Sequence, residues 1–227
     1  MDSVDRLPAH LYHSNPTKGY YPHNVRDVVH VYFLLRQLTI PDLISLILDF
    51  AQYWIRLRTS RARCIEVTQG EVQYLSTPPL ISPLRHPVRR IIFTVQSHDQ
   101  GWSSYPQYRG TYEHSWTWFE ARALGAEDGA RTEVGGGGVG QEEREGEGEV
   151  MRISRMLVTN VHAKREMTEH VVVWKAGVRG GAEDSEGEFV RSLTGGERVA
   201  VVAKAVFPGW VNHVESLNID LFCAAVR

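Results

Sequence analysis

The chain has 227 residues, 42% of them hydrophobic, and a net charge of -2, so it can bury roughly 70% of its unfolded surface and is read as globular, with one sizeable core or two small ones. Lys and Arg number 25 against 27 Asp and Glu, without the basic excess that binding a phosphate backbone by counterion release demands, which removes nucleic acid from the expected partners. The longest apolar run, LISLILDFA from Leu43, falls far short of the roughly 20 residues that span a bilayer, so no membrane association is expected.

The opening MDSVDRLPAHLYHSNP carries acids where a signal peptide carries bases and has no apolar core, so secretion by that route is not expected. Two cysteines, Cys64 and Cys223, each sit in an apolar strand-like segment and suit buried free thiols of a reducing compartment, the cytoplasm or nucleus. Residues 1–22, rich in Pro, His, Tyr and Asn without periodicity, predict a poorly ordered arm or one draped over the body.

A helical segment is expected over 23–63. Asn24 can cap a helix with Asp27 three residues on, and Val25, Val28, Val29, Tyr32 and Leu35 recur at helical spacing. A second helix starts at Pro41, where a missing N–H is harmless, with Asp42 in its first turn. Leu43, Ile44, Ile47, Leu48, Ala51 and Trp54 mark its expected buried face. The basic stretch that follows, with Arg56, Arg58, Arg61 and Arg63, reads as a solvated helix end, with a docking patch for an acidic partner as the alternative.

From Ile65 the side chains alternate in twos, and a β body is expected over 64–227. IEVTQGEVQYL, VRRIIFTVQS from Val88, SWTWFEARAL from Ser115, RISRMLVTNVHA from Arg152, EHVVVWKAG from Glu169, ERVAVVAKAVF from Glu197 and VESLNIDLFCAAV from Val214 make seven or eight strands. Many strands with turn signals and no helices between them predict a mainly β protein, an antiparallel jelly-roll-like sandwich behind a short α-helical lead. The glycine-rich acidic stretch 125–149 has too few apolar residues to repay ordering and reads as a disordered surface loop, and RGGAEDSEGE from Arg179 repeats the theme. No Lys-Ser or Lys-Thr follows the glycines, so they are not a phosphate loop.

The chemistry-bearing residues fall in two strand-end stretches, SHDQGWSSYPQYRGTYEHSWTWFEA from Ser97 and FPGWVNHVES from Phe207. In the strand within the first, Thr117, Phe119, Ala121 and Ala123 share one face, and Trp116, Trp118, Glu120 and Arg122 the other. Each stretch places Trp, His and an amide on a loop, and loops held by a rigid sandwich are where binding residues concentrate. Asp99 before Gln100-Gly101 also suits a simple Asx turn. If the two loops share an end, His98, Asp99, Gln100, Trp102, Trp116, Trp118, Trp210, Asn212 and His213 would line one polar aromatic site.

No HxH, HExxH or paired-cysteine spacing links His98, Asp99, His114 and His213, so neither a metal nor a cofactor is expected. Glu113 and Glu120 with Asp99 offer carboxylates without a known separation, and Ser97 beside His98 lacks a nucleophile-elbow context, so no catalytic residue is assigned and a hydrolase ranks third.

SHDQGW, GTYEHSWTWFEA and FPGWVNHVESLNIDLF resemble a domain of uncharacterised fungal proteins, often found beside a helix like IPDLISLILDFAQYW. The resemblance spans most of Ile40 to Phe222 outside the acidic loop. More remotely, the layout looks like the galactose-binding-like jelly rolls, including the sugar-recognising domain attached to some F-box proteins. That likeness implies a non-enzymatic binding module holding a polar small ligand, a glycan or a peptide at loops of one end. TIPDLISLILDFAQYW is similar to the first helix of an F-box, which implies docking on a ubiquitin-ligase adaptor through Leu43, Ile47 and Trp54. Residues Ile55 to Arg63 depart from the apolar pattern that later F-box helices need.

Overall fold

A computed structural model describes residues 22–82, 84–126, 149–177 and 184–226. The arm expected over 1–22 therefore lies outside the described residues except for Pro22, which is buried, and the acidic loop lies outside them from 127 to 148.

Helix α1 (Val25–Leu35) starts at the capping box that Asn24 and Asp27 predict: the Asn24 side chain accepts from the Arg26 and Asp27 amides, and Asp27 accepts from the Asn24 amide. Helix α2 (Pro41–Phe50) begins at Pro41 and stops before Trp54. Gln52 turns left-handed at φ 52, the Tyr53 amide donates to Leu48 and the Gln52 amide to Asp49, a Schellman ending that the apolar periodicity does not reveal. Val28, Ile44, Leu48 and Ile55 form a small core over the chain's last described residues, Ala225 and Val226.

Strand β1 (Ile55–Val67) begins at Ile55 rather than Ile65, so the arginine stretch is strand and not helix end. The reason is the partner strand. Arg56 and Arg58 each clamp the buried Asp220 carboxylate bidentately, with N–O distances of 2.8 to 2.9 Å. Then follow β2 (Gly70–Ser76), β3 (Val88–His98), β4 (Thr117–Ala126), β5 (Glu149–Thr159), β6 (Thr168–Lys175), β7 (Arg198–Ala205) and β8 (Asn212–Cys223). The ends of the 125–149 stretch are thus strand residues.

The strands form two antiparallel sheets, β1-β8-β3-β6 and β2-β7-β4-β5. That order is an eight-stranded jelly roll, in which consecutive strands lie in facing sheets except β4 and β5, which pair as a hairpin within one sheet. Between the sheets pack Ile91, Phe93, Val95, Leu217, Ile219 and Leu221 from one side and Phe119, Ala121, Val199, Val201 and Ala203 from the other. The inner face of β4 is the one expected, with Thr117, Phe119, Ala121 and Ala123 buried.

The structure adds a helix where RGGAEDSEGE predicts a surface loop. Helix α3 (Ser185–Ser192) is capped by Asp184, which accepts from the Gly187 amide at 3.0 Å. Phe189, Val190 and Leu193 are fully buried, Phe189 edge-on against Trp174 at 5.1 Å. A short apolar stripe behind an acidic first turn is enough once Trp174 supplies a surface to cover. Residues 179–183 of that stretch lie outside the described residues.

Candidate functional site at the loop end

Antiparallel pairing puts the end of β3 beside the starts of β6 and β8, and the start of β4 beside the ends of β5 and β7. The β1–β2, β3–β4, β5–β6 and β7–β8 connections therefore all emerge at one end. The two stretches singled out from the sequence meet there. His98 stacks on His213 with ring centroids 4.3 Å apart, the Val211 amide donates to Gln100 Oε1 at 3.5 Å, and Gly209, at φ 87, lies under the Trp102 ring, whose carbons a Cβ would meet at 3.6 and 3.7 Å.

A third loop, β5–β6, ties them together. Asp99 is fully buried, and its carboxylate accepts the amides of Gly101 at 2.8 Å, Ala163 at 2.5 Å and Lys164 at 3.1 Å. The Gly101 bond is the Asx turn foreseen at Asp99; the other two clamp the β5–β6 loop. Burial pushes the Asp99 carboxyl above its ordinary pKa, opposed by those amides and by the nearby His162. Beneath lies a buried polar chain: the Ser97 hydroxyl donates to Asn160 Oδ1 at 2.7 Å, and Asn160 Nδ2 donates to Thr117 Oγ1 and Asn212 Oδ1 at 2.9 Å each. Asn212 Nδ2 completes it on the Trp118 and Lys204 carbonyls. Such satisfied networks rigidify a core and fix its register.

The nine candidate side chains thus divide. Asp99 and Asn212 are buried with their polar atoms engaged, so they hold the loops rather than face a ligand. Trp118 points to the outer face of its sheet, where its Nε1 donates to Glu120 at 3.1 Å and Lys204 lies near its ring. There Arg122 and Lys204 pair with Glu71 and Glu120, and the Arg122 contact first among them lowers the Glu71 pKa to about 2. Neither Trp118 nor that charge cluster belongs to the loop end. His98 and His213 stack on the outer face of β3 and β8, with His213 Nδ1 3.3 Å from Glu66. Gln100 bridges its own loop and β7–β8.

What the loops present outward is aromatic. Trp102 is 54% exposed and Phe207 51%, Phe207 standing edge-on to the exposed Trp116 at 4.9 Å, with Tyr105 and Tyr112 nearby in sequence and also exposed. Three of the four non-glycine residues at positive φ among the described residues sit in these loops, His114 at 52, Ala163 at 54 and Phe207 at 71. Phe207 precedes a proline, where that conformation is strained, and its phenyl ring is half exposed. Tyr105, Tyr112, Phe207 and the β5–β6 residues Asn160 and His162 were not among the candidates. Phe207 and the tyrosines lie inside the quoted stretches, whereas Asn160 and His162 were hidden in a strand-like run that ends earlier, at Thr159.

His162 is fully enclosed, Nδ1 3.0 Å from the His114 carbonyl, Trp210 edge-on at 5.2 Å and Tyr108 at 6.0 Å. No group of three or more His, Cys, Asp or Glu suited to a metal occurs among the described residues.

No family model and no curated protein matches the chain. Among solved structures it is similar to the crystal structure of infectious bursal disease virus VP2 subviral particle, at 13% identity and a TM-score of 0.25 over 74% of this chain. The chain spans 42% of that protein's length. A TM-score so low bears on neither the fold nor the function of this chain. No described helix is long and apolar enough to cross a membrane.

Proposed function

We propose that the chain is a non-enzymatic recognition module that binds a polar ligand, sugar-like or a peptide, at the loop end of its jelly roll. The observation that supports this most is the meeting of the β3–β4 and β7–β8 loops, fastened by buried Asp99 and Asn160, beneath exposed Trp102, Trp116 and Phe207. Rigid aromatic rings offer large contact area at low entropic cost. Trp102 and Trp116 stack on the ligand, and Trp210 with the polar groups around it orients it.

Thermal-shift screening against sugars, polyols and short peptides tests the proposal, since a ligand at 100 times its Kd adds about 2.7 kcal/mol of stability. A shift abolished by Trp102→Ala and Trp116→Ala in folded variants supports it. A shift that survives both substitutions refutes the loop end as the binding surface.

A second reading has its own observation. Leu43, Leu46, Ile47 and Phe50 of α2 are exposed, Phe50 at 93%, so most of the helix's apolar face is turned away from the sandwich. Only Ile44 and Leu48 of the expected buried face are covered, and Ala51 is exposed. This favours a protein-interaction subunit, F-box-like in its lead helix, working as a substrate receptor for ubiquitin ligation through Leu43 and Ile47. Trp54 does not share that face: it lies beyond α2, half-buried, with Nε1 donating to Asp49 at 2.8 Å and Arg90 over its ring. Leu46→Asp with Phe50→Asp separates the readings, because it would abolish adaptor capture and leave loop-end binding intact.

A further inference from the structure

His162 sits at the root of the β5–β6 loop with no measurable exposure. Its backbone is spent on the β3–β4 loop, the amide donating to Thr111 at 2.8 Å and the carbonyl accepting from Gly110 at 2.9 Å. Its ring Nδ1 lies 3.0 Å from the His114 carbonyl. A carbonyl only accepts, so Nδ1 carries the proton and a neutral ring presents Nε2 as a bare lone pair. That Nε2 has no hydrogen-bond partner. A buried acceptor left without a donor forfeits the hydration it had in water. Nothing in the fold requires a histidine for this, because the tie to His114 uses the other nitrogen.

The surroundings are those of a binding position. The rings of Trp210 and Tyr108 pack against His162, both half-buried side chains of the two loops that carry the exposed aromatics. Trp210 follows the strained Phe207 and the left-handed Gly209, so the ring that shields His162 rides on a turn held out of the common backbone basins. Because His162 has no exposure, a ligand reaches Nε2 only if one of the rings packed on it moves aside.

Charge decides which donor fits. Lys164 and Arg165 belong to the same loop, the Arg165 side chain lying across Gly101, and the one buried carboxylate nearby, Asp99, is already engaged by three amides. Glu113 and Glu166 of these loops offset the two cations, so no net anionic field draws an ammonium to this position, whereas a hydroxyl brings a donor without charge.

We propose that His162 is a ligand contact, its Nε2 accepting a hydrogen bond from a hydroxyl of a neutral polyhydroxylated ligand, a sugar or polyol, under the Trp210 ring. This rests on the loop-end function proposed above and names its ligand class.

Two substitutions dissect the ring. His162→Asn keeps a donor where Nδ1 meets the His114 carbonyl and removes the Nε2 acceptor; His162→Gln keeps an acceptor at the Nε2 reach. Calorimetric titration of the full chain with free monosaccharides and linear polyols, beside a short-peptide panel, is expected to find a sugar or polyol that His162→Asn binds about tenfold more weakly, while His162→Gln stays within about twofold. In the unsubstituted protein, long-range proton–nitrogen NMR is expected to show the His162 Nε2 resonance moving on sugar addition with Nδ1 unmoved. Sugar binding with an unmoved Nε2, or equal affinity in His162→Asn, overturns the proposal and leaves an internal water as the partner of Nε2. The NMR measurement decides this even if His162→Asn fails to fold. Absence of any sugar or polyol binding also overturns it, while peptide binding lost in Trp102→Ala would keep the loop-end function standing.

Discussion

His98 and His213 face each other across the β3–β8 pairing, centroids 4.3 Å apart and planes 18° from parallel. Two imidazolium rings at that distance repel, so the pair resists double protonation. Burial first, and then the His98 ring, lower the His213 pKa below its ordinary 6.5, while Glu66 and Asp99 oppose them. His98→Ala is expected to raise the His213 pKa and Glu66→Gln to lower it further, read from the pH titration of the His213 Cε1 proton by NMR. Because the folded value lies below the unfolded one, the unfolded chain takes up this proton first, and stability drains away as pH falls below about 6.5. A His213 pKa that ignores both substitutions would show that the stack carries no charge coupling.

The clamp on Asp220 makes a second expectation. Asp220 is 2% exposed and serves Arg56 and Arg58 together. Burial alone would raise its pKa, but the two guanidiniums more than reverse this and hold the carboxyl below its ordinary 3.8. Asp220→Asn removes the buried carboxylate that Arg56 and Arg58 share, a loss of about 3 kcal/mol that lowers Tm by roughly 6–12 °C in a chain of this size. The wild-type contribution is present above about pH 4 and is lost as pH falls through the depressed folded value, so the gap between the two proteins should close in strong acid. Urea denaturation at pH 7 and pH 3 measures both.

Asn160 is the joint on which the loop end turns, since its amide serves Ser97, Thr117 and Asn212 at once. Asn160→Leu keeps the branched shape of the side chain and strands three buried polar groups, a cost of about 2–4 kcal/mol. Asn160→Asp should be as harmful, because a carboxylate oxygen then confronts Asn212 Oδ1, which only accepts, and a charge is buried. If circular dichroism melts place either variant within about 0.5 kcal/mol of wild type, the network is not what fixes the loops.

Much of this architecture is written locally. Asn24 and Asp27, Pro41, and the two-residue alternation through β3, β4 and β8 each announce their element, and the inner face of β4 follows from counting alone. β1 is different: its arginines look like a solvated stretch until Asp220, 164 residues away in sequence, supplies the charge that makes them strand. α3 depends likewise on the distant Trp174 surface. At the site, the aromatic loops were visible but their meeting was not, because it is settled by antiparallel pairing and by Asp99 reaching for amides of a third loop. The same long-range bonds commit Asp99 and Asn212 to holding the loops together, which no spacing along the chain could indicate.

His170 gives the sharpest pH expectation. It lies on the inner side of β6, 4% exposed, edge-on to Tyr112 at 5.9 Å, with Nε2 lacking a hydrogen-bond partner. Burial, aided by Lys164, pulls its pKa from 6.5 down to about 4. Between those values the unfolded chain binds a proton that the folded chain refuses, so stability rises with pH across the window and is flat on either side of it. The depression corresponds to about 3 kcal/mol, the stability expected to disappear between roughly pH 6.5 and pH 4. His170→Phe removes the titrating group and fills the same apolar space, so its stability should exceed that of wild type most at pH 4.5, with the advantage shrinking toward pH 7.5. Denaturant midpoints at those two pH values decide it: an advantage that does not depend on pH would mean that His170 titrates normally in the folded protein, through a proton partner reached by local opening of the β3–β4 loop.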